Sequence, residues 1–194
     1  MMQKRQSSQL VNMIILALLG TISLLLFFLN FPLPFLPPYL KIDFSDVPAI
    51  MASLIFSPMA GVIVVAIKNF LYLLIGSGEP VGVTANILAG VMFVLPVSII
   101  YHKYQGVKSI ISGLIVSTLV MAIGMSILNY FVFLPIYAWF MGMENMKSEA
   151  AIRTAVVIGI LPFNVIKGVL VSFLFVPMFT KMRKWIEQKR TMIV

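Results

Sequence analysis

Cysteine is missing from this sequence, histidine occurs once (His102), and six acidic residues face fourteen lysines and arginines. Each shortage excludes something. Without cysteine there are no disulfides, thiolate metal sites or thiol nucleophiles, and a single histidine removes any two-histidine metal site. A Ser–His hydrolytic centre would have to use His102. That residue opens the basic stretch "HKYQGVK" (102–108), expected to be a loop remote from any buried serine. No G-x-x-x-x-G-K-[ST] is present, so the chain carries no nucleotide-hydrolysing loop of its own. H-E-x-x-H is absent as well. So are the paired aspartate motifs that hold Mg²⁺ for phosphoryl or prenyl transfer. "DFSD" (43–46) comes nearest, and it reads as external and lone. The expectation is a protein that is not an enzyme, with no metal and no cofactor.

What the sequence has is apolar surface. Hydrophobic residues make up 61% of the 194 positions and charged ones 10%, with a mean hydropathy of +1.07. Soluble domains are about a quarter charged, so the chain reads as an integral membrane protein. Its partner is then the lipid bilayer. The formal charge of +8 sits at span borders and termini, which makes nucleic acid the wrong partner to infer from it. Apolar runs predict an all-α fold of six transmembrane helices in one domain, residues 1–194. The runs cover 10–30, 45–57, 59–76, 81–101, 109–140 and 154–180. About 20 residues cross a 30 Å hydrocarbon core, so the second and third are short and the fifth is long. "SPMAG" (57–61) predicts a tight turn between the short ones. The first run exceeds a signal-peptide h-region and no small-x-small site follows it, so it is expected to stay as a helix.

The distribution of basic residues orients these spans. Lys4 and Arg5, then Lys103 and Lys108, then "KMRKWIEQKR" at the end all fall on one side, so both termini are expected in the cytoplasm. Five of the six acids, all but Glu187, fall on the other side, in "NFPLPFLPPYLKIDFSD", "GSGEP" and "GMENMKSEAAIR". The first external loop, residues 30–46, holds four prolines and four aromatics. Pro37-Pro38 favours a stiff, extended backbone. Its aromatics suit the headgroup region, but its length and stiffness also suit a lid over an outward-facing pocket, with Leu40, Lys41 and Phe44 near the mouth.

Polar side chains at membrane depth are the candidate site residues. Asn164 and Lys167 stand three apart on one helix face. Lys167 is fourteen residues from both Arg153 and Lys181, roughly 21 Å along a helix in each direction, too far to snorkel. Asn129 and Asn86 lie within later spans, Lys68 and Asn69 within the third, and Glu79 at its outer end. Asparagines also glue helices together, and Lys68 has Asp43 or Asp46 as a structural partner if it does not face the same cavity. Amides and an ammonium among Phe, Leu and Met suit a flat, neutral, hydrogen-bonding molecule better than an ion, since no carboxylate is expected at mid-depth.

"YLKIDFSDVPAIMASLIFSPMAGVIVVAIKNF" (39–70) and "LPFNVIKG" (161–168), with the length and the six spans, resemble the substrate-binding S components of energy-coupling factor (ECF) vitamin transporters, and more narrowly the riboflavin-specific members of Gram-positive bacteria. The likeness runs over essentially the whole chain. It implies a subunit that binds vitamin from outside and docks on a transmembrane coupling subunit and two ATPase subunits. It also implies a ring-edge contact from Asn164 and Lys167, and an apolar contact from Phe44. The ribityl contacts would come from Asn129, Asn86, Glu79 and Lys41. The family's docking face on its first helix has a loose counterpart in Ala17, Gly20 and Thr21, whose small-x-x-x-small spacing also serves ordinary packing. A scaffold without a small ligand, an S component for another vitamin, and an intramembrane transferase using Asp43 and Asp46 are the alternatives.

Overall fold

A computed structural model describes residues 2–37, 39–76, 78–140, 142 and 148–193, with side chains for those between 10 and 190. The side chains of Lys4 and Arg5, Pro38, Ser77 of "GSGEP", and Glu144 and Lys147 of "GMENMKSEAAIR" lie outside the described residues. Each apolar run is helical. The order is α1 (Met2–Phe28), a two-stranded ribbon of β1 (Phe31–Pro32) and β2 (Lys41–Ile42), α2 (Asp46–Ile55), α3 (Pro58–Leu74), α4 (Pro80–Tyr104) and α5 (Gly106–Leu128). A π-helical turn (Asn129–Phe133) joins α5 to α6 (Leu134–Phe140), and a second (Ala155–Ile160) joins α7 (Glu149–Thr154) to α8 (Leu161–Ile193). The fold is thus nearly all-helical. The ribbon corrects the pure all-α expectation: it pairs Phe31 with Ile42 and Pro32 with Lys41, closing the proline-rich loop on itself.

Local chemistry sets the helix ends. Ser57 caps α3, its hydroxyl accepting from Ala60 N–H at 3.2 Å, with Pro58 in the first turn where no N–H is needed. Glu79 caps α4 in the same way, its Oε1 accepting from Gly82 N–H at 2.9 Å ahead of Pro80. The expected loop at 102–108 shrinks to a single residue. Gln105 (φ 51°) and Gly106 (φ 83°) turn through the left-handed region that glycine enters without cost, so α5 begins at once. His102 therefore sits in the last turn of α4, with Nε2 2.8 Å from the Ser53 carbonyl. That corrects its placement on a loop.

Among the described residues, four helical stretches are long and apolar enough to cross a membrane: Leu10–Phe28, Pro80–Tyr104, Gly106–Phe140 and Glu149–Arg190. α2 differs, since its ten residues are all buried. At 1.5 Å per residue it spans only about 15 Å, so its ends lie against protein rather than lipid, where non-helical backbone is tolerated. It packs against α1, α3, α4 and α8. Close approach is needed there: a Cβ on Gly61 of α3 would fall 2.6 Å from Val94 Cγ1 of α4 and 2.8 Å from the Ala49 carbonyl of α2. Large apolar side chains such as Met13, Leu18, Ile115 and Phe173 face outward, as a lipid-bathed surface requires. Replacing Gly61 with Val is expected to cost about 1–3 kcal/mol by overpacking, read as a lowered Tm in detergent; an unchanged Tm would contradict the close three-helix contact.

Candidate functional site

A cavity of about 490 Å³ opens at the end of the molecule that carries the β-ribbon, within the range of small-molecule pockets. The end of α1 gives Phe27 and Asn30; the loop gives Tyr39, Leu40 and Lys41. Tyr72 comes from α3, Glu79 from the α4 cap, and Asn86 and Ala89 from α4. Met125, Asn129 and Tyr137 come from the α5–α6 rod, and Ile160, Phe163, Asn164 and Lys167 from the last helix. Burial grades along it. Asn164 and Lys167 are almost fully enclosed, whereas Tyr39 is half exposed and Lys41 exposed. Partial burial pushes the Tyr39 phenol above its ordinary pKa.

Seven of the eight predicted contact residues thus line one cavity: Leu40, Lys41, Glu79, Asn86, Asn129, Asn164 and Lys167. Phe44 is not brought to it. Its ring packs on the main core and lies 6.4 Å from Phe31. Sequence reasoning overlooked Asn30, Tyr39, Tyr72 and Tyr137, although "PPY" (37–39) and the Asn that ends the first run marked two of them. Tyr137 donates to Glu79 Oε1, fixing α6 against the α4 cap. Asn129 and Asn164 each donate one amide hydrogen to their own helix, at Met125 O and Ile160 O, both at 2.8 Å. The carbonyl and the second hydrogen remain for a ligand. Among the described residues Asn86 Oδ1 is buried without a hydrogen-bond partner, an acceptor that a ligand donor would satisfy.

The π turns place two of these amides. Leu134 N–H bonds to Asn129 O and Leu161 N–H to Val156 O, five residues back rather than four. In each case proline follows one residue later (Pro135, Pro162), and its missing N–H and ring bulk disfavour a regular α ladder across that turn. The repeated Leu-Pro pair inside an apolar run was the sequence signal for both.

Behind Lys167 lies a buried ion cluster that corrects the reading of "DFSD" as external and lone. Lys167 Nζ is 3.0 Å from Asp43 Oδ2 and 3.3 Å from Asp46 Oδ2, the latter in ion-pair range without hydrogen-bond geometry. Lys68 Nζ is 2.8 Å from Asp46 Oδ1 and also donates to Ser45 Oγ. Ser45 in turn donates to Asp43 Oδ1 through both its hydroxyl and its backbone N–H, the latter at 3.0 Å. Ser23 of α1 donates to the Ser45 carbonyl at 2.7 Å, and the Phe27 ring stands 5.1 Å from Lys68 Nζ. Two carboxylates and two ammonium groups balance, all within a few per cent of complete burial. Lys68 is thus paired with acid and does not line the cavity. The docking candidates on α1 diverge: Ala17 and Thr21 are exposed, Gly20 is buried, and Thr21 Oγ1 donates back to Ala17 O at 2.9 Å. No group of three or more acidic or histidine side chains suited to a metal occurs among the described residues.

The sequence matches the family described as "ECF transporter, substrate-specific component" over residues 11–179, and the chain belongs to that family. It is a subunit of a multi-pass membrane transporter rather than an enzyme. It is 48% identical over 183 residues to the riboflavin transporter FmnP of Bacillus subtilis (strain 168), covering 93% of this chain and 96% of that protein. It is 41% identical over 186 residues to the riboflavin transporter RibU of Staphylococcus aureus (strain TCH60), covering 96% and 97%. A solved chain described as "Structure and mechanism of the S component of a bacterial ECF transporter" superposes with a TM-score of 0.78 at 44% identity. It covers 91% of this chain and 98% of that one.

Removing one member of the ion cluster strands a buried charge. Asp46→Asn or Lys68→Met alone is therefore expected to cost about 3–5 kcal/mol of stability, measured as a large drop in Tm of the purified protein. A shift of a degree or less in both would contradict the burial of the cluster.

Proposed function

We propose that this chain binds riboflavin and serves as the vitamin-specific subunit of an ATP-driven ECF transporter. The observation that carries the reading is the graded cavity. Its enclosed end presents an amide and an ammonium (Asn164, Lys167), suited to the carbonyl-and-imide edge of a flavin ring. Its open end presents Tyr39 and Lys41, and the half-buried Glu79, Asn86 and Asn129 also line the cavity, a polar set suited to a hydroxylated chain. Met125, Phe163, Leu134 and Ala89 supply apolar contact between them. The names of the relatives at 48% and 41% identity support the same ligand.

The wider account follows the family. Six helices build the transmembrane domain with α2 and α3 as short members, both termini lie in the cytoplasm, and the β-ribbon loop covers an entrance from outside. The chain has no ATP-binding loop, so two ATPase subunits and a coupling subunit supply the drive. The α1 face around Ala17, Gly20 and Thr21 is where that coupling subunit would dock. Vitamin bound from the outside is released inward on that module.

Titration of riboflavin fluorescence against purified protein tests the reading. Saturable quenching is expected, and Asn164→Ala should weaken it about 10- to 100-fold, as loss of a buried hydrogen-bonding group does, with Tm little changed. Absence of quenching by the unmodified protein would remove riboflavin as the ligand.

A further inference from the structure

Lys167 is the one member of the buried cluster that reaches the cavity; Asp43, Ser45, Asp46 and Lys68 lie behind the wall. Its ammonium has three hydrogens. One is spent on Asp43 Oδ2 at 3.0 Å with hydrogen-bond geometry, whereas Asp46 Oδ2, at 3.3 Å, offers attraction without direction. Asp43 is itself rigid, since its other oxygen takes the Ser45 hydroxyl and backbone N–H. It also follows directly on β2 (Lys41–Ile42), the strand that ends the cavity's covering loop.

We infer that Asp43 is a positioning residue for ligand capture: it aims the Lys167 ammonium into the cavity and cancels its charge there, so that the enclosed end selects a neutral hydrogen-bond acceptor, such as a ring carbonyl, rather than an anion. The physical reason is charge balance. A lone buried ammonium would demand a counter-charge from its ligand, but this one already has two carboxylates within ion-pair range and Lys68 balancing the second. What it still offers is a donor of fixed direction. The loop that covers the mouth and the lysine that meets the ligand's far end are then held by the same carboxylate. This inference rests on riboflavin as the ligand of the cavity.

Two charge-balanced double variants separate positioning from general stability. D43N/K68M and D46N/K68M lose the same lysine and one carboxylate each, and differ only in which carboxylate remains beside Lys167. Each is purified in detergent, checked for a monodisperse profile and Tm, and titrated with riboflavin, with the long-wavelength absorption band of the bound flavin recorded as well. The expected result is a roughly 10- to 100-fold weaker Kd and a shifted flavin band for D43N/K68M, with D46N/K68M within about threefold of the unmodified protein and spectrally unchanged. Equal affinities in the two variants, whether both retained or both reduced, would overturn the inference. So would failure of both to yield folded protein, since the cluster would then be structural alone. If the unmodified protein leaves riboflavin unbound, the ligand assignment fails instead, and that outcome is read separately from the comparison of the variants.

Discussion

Two aspartates and two lysines facing one another out of reach of water form the constraint on which the rest of the structure depends. An isolated charge at such depth costs several kcal/mol even after relaxation, so each member fixes the place of the others. Through them the end of the first loop (Asp43, Ser45), the first turn of α2 (Asp46), α3 (Lys68) and α8 (Lys167) are tied at one point, and Ser23 brings in α1. In a bilayer the hydrophobic effect does not drive helices together. Close packing, as at Gly61, and polar contacts of this kind must supply specificity. The fully buried α2, too short to reach both faces of a membrane, sits where that knot can hold its N-terminal end.

The same knot relates fold to function. Lys167 presents the cluster to the cavity, and Glu79, which also lines it, is a second polar anchor, where Tyr137 and Gly82 N–H converge on its Oε1. The π turns at 129–133 and 155–160 widen the helices at Asn129 and just ahead of Asn164, and both amides line the cavity. Asn30, Asn129, Asn164 and Lys167 each have one hydrogen bond within the protein and capacity left over. A preorganised binding site requires that economy, because the donors are held before the ligand arrives.

Much of the architecture was legible because membrane helices are written as uninterrupted apolar runs, and their limits were marked by Ser57-Pro58 and Glu79-Pro80. Candidate site residues were legible for the converse reason, since Asn164, Lys167 and Asn129 stand out as polar groups in such runs. The partners of those residues were not. Asp43 is 124 positions from Lys167 and Asp46 is 22 from Lys68, and both acids stand at the end of a loop, where a solvated carboxylate is the ordinary expectation. Only the fold carries them inward. Phe44 was misplaced for a related reason: proximity in sequence to Lys41 did not say which way its ring points, and the ring turns to the core. The β-ribbon was hidden by its prolines, which suit an edge pairing of two residues as readily as an extended coil.

The measurement that tests the central claim most directly is a structure of the purified protein determined in the presence of riboflavin. The account predicts a single flavin in the cavity of about 490 Å³, its ring carbonyl edge within hydrogen-bond reach of Asn164 and Lys167, with Lys167 still held by Asp43. A flavin bound elsewhere, or one whose ring edge meets neither residue, would contradict it.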